Sequence, residues 1–191
     1  RRGVTIETNL AVEEFEEFHG DIRIHCTGGR AFDTDLVVVG IGVVANAEIA
    51  ETAGIRCNDG VIVDEFGRTS ETSVFAVGDV TRHFNPLLGR RIRLESWQNA
   101  QNQAIVIARN MLGSNKPYAE IPWFWSNQFD MNIQSVGHPE TWDRVVFRGE
   151  ATGDQFSVFS LLDGVVVSAH AINAPRDIRY ARQMVADRTR P

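Results

Sequence analysis

Thr72-Ser-Val-Phe-Ala-Val-Gly-Asp-Val80 is the stretch on which the reading of this chain turns. Residues 74–77 form a short apolar run with β-branched ends, the length of one strand buried on both faces. The run stops at Gly78-Asp79, a carboxylate beside a residue without a side chain. In open α/β sheets, ligands bind just beyond the carboxyl ends of strands, where a cofactor hydroxyl would meet an acceptor. An ionised carboxylate only accepts and has several lone-pair sites, so Asp79 could hold two such bonds. Taken alone, Gly-Asp favours an Asx-type turn closing a strand.

Composition narrows what could surround this motif. The 191 residues suffice for one large domain or two small ones, each with a core. With 43% hydrophobic and 23% charged residues the chain reads as ordinary globular sequence. A formal net charge of -6 argues against a nucleic-acid partner. No apolar run has the length of a membrane span, and the first residues do not form a signal peptide. Cys26 and Cys57 stand far apart, which leaves a disulfide scaffold, a zinc cluster or a dithiol redox centre without support. A reducing cytoplasm is the expected location, with no metal site.

Outward from the motif, residues 4–8 and 22–26 alternate in polarity like half-buried antiparallel strands. Gly28-Gly29 after the second is a hairpin signal. Residues 35–42, Asp-Leu-Val-Val-Val-Gly-Ile-Gly, read as a strand buried on both faces. A short helix over 45–54 follows, with Asn46 as candidate N-cap and Gly54 as its stop. Residues 61–63 are a further strand, and 81–89 a loop. Ser96 as N-cap and Gly113 as stop predict the longest helix between them, with Ala100, Ala104, Ile107 and Ala108 as its apolar stripe. Residues 115–122 carry two prolines and mark a boundary. Beyond it strands are expected over 131–136, 144–147, 155–162 and 165–172, with Asp163-Gly164 turning the last hairpin. An amphipathic helix over 176–187 closes the chain.

Gly40-Ile-Gly42-Val-Val-Ala45 formally fits a dinucleotide fingerprint, G-x-G-x-x-A after a strand and before a helix. The helix is too short, and too little chain separates it from Gly78-Asp79 for a complete mononucleotide-binding half. Four landmarks together say more: 40–46, 72–79, Glu95-Ser-Trp-Gln-Asn-Ala100 and Pro122-Trp-Phe-Trp-Ser-Asn-Gln128. In this order and spacing the chain resembles the FAD-dependent NADH:ferredoxin reductases of oxygenase systems. It is most similar to the reductase components of biphenyl-type aromatic-ring dioxygenases, within the pyridine nucleotide-disulphide oxidoreductase superfamily.

The resemblance implies an α/β remnant of the two-dinucleotide-binding-domain flavoprotein fold followed by an α+β C-terminal reductase domain. It divides the chain into the end of an NADH-binding domain (1–45), a second segment of the FAD-binding domain (46–115) and a truncated C-terminal interface domain (116–191). It implies that the chain is part of a longer flavoprotein, with both Gly-rich fingerprints upstream and both the FAD and the NAD site incomplete. The fragment alone is then expected to be inactive. Gly78 and Asp79 would face the flavin ribityl chain. Glu95, Ser96 and Trp97 would present a helix end to the flavin pyrimidine edge, where reduction gathers negative charge that a helix N-terminus stabilises. Trp125 would lie near the flavin and nicotinamide face, and Gly42 beside the nicotinamide. Trp123 and Phe124 are read as core, and Asn127 stands where the family usually has Asp.

The implied parent passes electrons from NADH through FAD to a [2Fe-2S] ferredoxin, with no nucleic acid or membrane partner and a possible homodimer. No side chain in that route acts as nucleophile or general acid, because the cofactor carries the chemistry. The rival expectation is a non-catalytic dimerisation or docking module related to apoptosis-inducing factor. Arg90, Arg91 and Arg93 are either a solvated face or a docking patch, and His83 and His170 are expected to be structural.

Overall fold

The computed structural model describes residues 3–190, which fall into two compact units meeting at Val43/Val44. The first unit is a three-stranded antiparallel meander, β1 (Val12–Phe18), β2 (Asp21–Cys26) and β3 (Arg30–Thr34), in that spatial order. Gly28 and Gly29, both at positive φ, make the tight connection from β2 to β3. Arg23 bridges to Asp33 across it at 2.6 Å, and His25 to Glu16 at 2.8 Å. β1 is Val-Glu-Glu-Phe-Glu-Glu-Phe, exposed along almost its whole length, and no apolar alternation announced it.

Residues 4–8 and 35–42 form no strand. Val38 is 86% exposed, whereas a strand buried on both faces was expected there. A strand exists only where another supplies its hydrogen bonds, and among the described residues none pairs with this run. Gly42 lies in this same extended segment, with φ of 93°.

The second unit contains two sheets and three helices. α1 (Glu48–Thr52) is shorter than its pattern and starts from Ala47, without a side-chain cap; Asn46 does not serve as one. Ala47, Ala50 and Ile55 bury against Val61 and Val63 of β4 (Val61–Val63). β4 runs parallel to β5 (Thr81–Asn85), which pairs antiparallel with β6 (Arg90–Ile92). The expected loop at 81–89 is thus largely a β5–β6 hairpin. Residues 74–77 are not a ladder strand either: only Phe75 makes a bridge, to Arg68. α2 (Trp97–Met111) begins where its cap predicts, with the Ser96 hydroxyl accepting from the Asn99 N–H at 3.3 Å.

The C-terminal sheet has the order β7-β8-β11-β10-β9, antiparallel throughout. Its strands are β7 (Trp123–Gln128), β8 (Met131–Gly137), β9 (Arg144–Arg148), β10 (Phe156–Leu162) and β11 (Val165–Ile172). β7 was not anticipated as a strand. Asp163 and Gly164 both adopt positive φ, as a two-residue type I′ turn requires. Register assigns the two faces. Val136, Ala169 and Ala171 pack on Ala174, Ile178 and Ala181 of α3 (Pro175–Ala186) and its N-cap, forming the main core. Phe124, Ser135, His170, Val158 and Phe147 line up across the opposite face.

Candidate functional site

α2 organises the site, through a face the sequence did not suggest. Its buried residues are Asn99, Gln103, Ile107 and Asn110, while Ala100 and Ala104 are half-buried and Ala108 is exposed. Three of the four buried positions are amides, and each clamps a loop. Asn110 accepts from the Lys116 N–H at 2.7 Å and donates to the Lys116 carbonyl at 2.8 Å. Asn99 accepts from the Tyr118 hydroxyl at 3.1 Å. Gln103, 1% exposed, accepts from the Gly78 N–H at 2.6 Å and from the Thr81 hydroxyl at 3.3 Å. The Thr81 hydroxyl also donates to the Gly78 carbonyl at 2.8 Å. The Gly78-Asp79 turn is therefore fastened to α2 by a buried side chain. Gly78 is buried at φ 79°, and a Cβ there would lie 3.5 Å from that of Ala100. The signal available in sequence was the run of Asn and Gln at helical spacing, 99, 103 and 110.

This clamp leaves Asp79 exposed, with no hydrogen bond or ion pair among the described residues. A free acceptor on an anchored turn is what a polyhydroxyl ligand needs. Ser96 is occupied as the cap. The N–H groups of Trp97 and Gln98, in the first turn of α2, have no intrahelical acceptor and carry the positive end of the helix dipole. The Glu95 carboxylate pairs with Arg93, which also holds Asp59 at 3.0 Å.

The Trp97 indole is 70% exposed and meets Trp125 edge-to-face, with centroids 6.2 Å apart. Trp125 stacks on Trp123 at 5.0 Å, and the Arg182 guanidinium lies 5.3 Å from the Trp123 ring centre. Trp123 also packs against the sheet–α3 core, as expected. Phe124 does not: it points to the other face and is 50% exposed, because strand alternation separates it from both tryptophans. Asn127 accepts from Asn132 at 2.7 Å. Beside the α2 terminus a cavity of ≈ 170 Å³ is bounded by Ser96, Gln98, Trp123, Phe124 and His138, with the Gln98 Oε1 buried and unpartnered. Gly42 belongs to the first unit and is described there.

The arginines of the basic run all have partners, while Arg91 stays exposed as a solvated face would have it. Arg91 donates to the Val63 carbonyl, Arg90 to the His138 carbonyl and pairs with Glu140 at 3.2 Å, and Arg93 is held as above. His170 is exposed and shares a 2.8 Å hydrogen bond with Ser135.

His83, on β5, is 1% exposed and both ring nitrogens lack partners. Tyr118 packs edge-to-face on it at 5.5 Å. Burial first, then the Arg91 charge, push its pKa down from 6.5 to about 4. The unfolded chain therefore takes up this proton first as pH falls. Stability is intact above about pH 6.5 and declines toward pH 4, by on the order of 3 kcal/mol from this group. His83→Leu is expected to flatten that part of the denaturation midpoint against pH; equal slopes in wild type and variant would contradict it.

Residues 1–104 match the pyridine nucleotide-disulphide oxidoreductase family. The chain belongs to it. Residues 123–191 match the reductase C-terminal family. The chain is 46% identical to the anthranilate 1,2-dioxygenase system ferredoxin–NAD(+) reductase component of Burkholderia cepacia, across 86% of this chain and 43% of that protein. It is 34% identical to putidaredoxin reductase of Pseudomonas putida, across 97% and 45%. Among solved structures, that of the covalent putidaredoxin reductase–putidaredoxin complex superposes with a TM-score of 0.92 at 34% identity, covering 98% of this chain and 46% of the other. The chain thus spans less than half the length of these relatives. The expected two-dinucleotide-domain flavoprotein fold with a C-terminal reductase domain is the fold of this family. No helix among the described residues is long and apolar enough to cross a membrane, and none of their acidic, His and Cys groups cluster as a metal site.

Proposed function

We propose that the chain is the FAD-facing and C-terminal part of a flavoprotein reductase that carries electrons from NADH to a [2Fe-2S] ferredoxin serving an oxygenase. The observation that carries this is the convergence on α2: its buried Gln103 holds the Gly78-Asp79 turn, and its N-terminal turn places Trp97 against Trp125. The residues present fit FAD. Asp79 would accept from the ribityl hydroxyls, the Trp97 and Gln98 N–H groups would face an anionic ring edge, and Trp97 and Trp125 would exclude water from it. FAD, when bound, supplies the two-electron and one-electron chemistry that no side chain here can perform. The interface division at 115/116 and the role of Gly42 beside nicotinamide are part of this reading, as are a cytoplasmic location and a homodimer through the C-terminal domain. Relatives named as ferredoxin reductases favour it over a non-catalytic docking module.

Rapid mixing of NADH with the flavin-loaded full-length parent tests it. Trp125→Ala, compared at equal flavin occupancy, is expected to slow flavin reduction or raise its NADH dependence by about tenfold, the effect of lost positioning. Truncating this half-buried ring also lowers stability, by up to about 3–5 kcal/mol. Flavin reduction identical to wild type would return Trp125 to a packing role.

A further inference from the structure

The face of β7 and β8 that carries Trp123 and Trp125 also carries a relay of side-chain hydrogen bonds. The Trp123 indole N–H donates to the Gln134 Oε1 at 3.2 Å. The Gln134 Nε2 donates to the Asn132 Oδ1 at 2.7 Å, and the Asn132 Nδ2 to the Asn127 Oδ1 at 2.7 Å. An indole nitrogen only donates, whereas an amide has one accepting and one donating end. Trp123 therefore fixes which way Gln134 points, and each later amide follows in the same sense. The relay has to finish on an acceptor at residue 127, which leaves the donating end of that amide over. Asn127 is exposed, and its Nδ2 meets no acceptor among the described residues. Hydrogen bonds in series polarise one another, so the terminal N–H groups are strengthened as donors.

Trp125 stands between the two ends of this relay. It stacks on Trp123 at 5.0 Å, pairs in register with Gln134, and precedes Asn127 by two residues, about 7 Å along the same face. Aspartate at 127 would accept from Asn132 equally well, so the relay alone does not require asparagine. What asparagine adds is a pair of uncharged donors turned outward, suited to a carbonyl oxygen. Resting on the reductase reading above, we propose that Asn127 is a positioning residue for the nicotinamide ring expected beside Trp125, its Nδ2 donating to the carboxamide oxygen. A flat ring held against Trp125 carries that oxygen at its rim, on the side of the next residue of the same face.

The test uses the full-length, flavin-loaded, oxidised parent and two oxidised dinucleotides. One is NAD(+); the other is its 3-acetylpyridine analogue, whose methyl ketone keeps the oxygen but lacks the amide N–H groups. Equilibrium titration then reads Kd without turnover, and in wild type the two values should agree within about threefold. Asn127→Asp keeps the acceptor for Asn132, so the unfolding midpoint stays at the wild-type value. It should weaken the acetylpyridine analogue by about tenfold, because a carboxylate now faces the ketone oxygen. NAD(+) should lose less than about threefold, because its amide can turn and donate to that carboxylate. Asn127→Ala, which offers neither partner, should weaken both ligands alike, by about three- to tenfold. Wild-type Kd values in both variants overturn the assignment. Equal weakening of the two ligands by Asn127→Asp also overturns it, since that reports only an added charge. Wild-type parent whose flavin is not reduced by NADH would instead sink the reductase reading itself.

Discussion

Asp79→Ala in the full-length parent is expected to release FAD about ten- to a hundredfold more readily. Each charge-assisted bond lost contributes about 1.5–3 kcal/mol, and 1.4 kcal/mol is a factor of ten. The side chain is exposed and has no partner among the described residues, so its removal should leave the unfolding midpoint of the flavin-free protein within about 0.5 kcal/mol of wild type. Binding loss without stability loss separates a ligand contact from a structural turn. Asp79→Asn keeps an acceptor but no charge, and should fall between. If Asp79→Ala retained flavin through extended dialysis as wild type does, the ribityl assignment would be wrong.

Gln103→Leu should do the reverse and damage fold and site together. Leucine nearly fills the volume but offers no acceptor, so the buried Gly78 N–H loses its partner and the Thr81 hydroxyl loses one of two. Leaving a buried donor unsatisfied costs about 1–3 kcal/mol. The flavin-free protein should lose that much on denaturant unfolding, and flavin affinity should weaken besides, because the turn that carries Asp79 is no longer fixed to α2. Gln103→Glu retains the acceptor oxygen and should recover part of the affinity. Wild-type affinity in Gln103→Leu would show that the turn holds its shape without the clamp.

These two residues mark what could and could not be read from the chain. The Gly78-Asp79 turn was legible because its motif is local, a small apolar run ending in Gly-Asp, and because the motif belongs with others at fixed spacing; the ribityl role of Asp79 stands as the proposal tested above. Gln103 was not legible. A helical pattern of Ala and Ile suggested the core face of α2, but helix periodicity reports where apolar residues lie. It does not report which polar residues have buried partners waiting in distant loops. Trp123, Trp125 and Phe124 show the same boundary, since one strand sends alternate residues to opposite faces and only the partner strand reveals which face is covered.

The sequence by itself determined the elements whose causes are local. Ser96 caps α2, Asp163-Gly164 turns β10 into β11, and both helices after residue 96 end within two residues of their patterns. Family membership was likewise written in short motifs. Tertiary structure alone decided that residues 74–77 make a single bridge instead of a ladder, that 35–42 lie exposed, and that β1 forms from a glutamate-rich run. It also decided that the three arginines at 90–93 find hydrogen-bond or ion-pair partners, while Arg176 and Arg179 of α3 make no ion pair among the described residues. The reason is common to all of these. Caps and turns satisfy hydrogen bonds within a few residues, whereas strand pairing, buried amides and ion pairs need a partner that only the folded chain supplies.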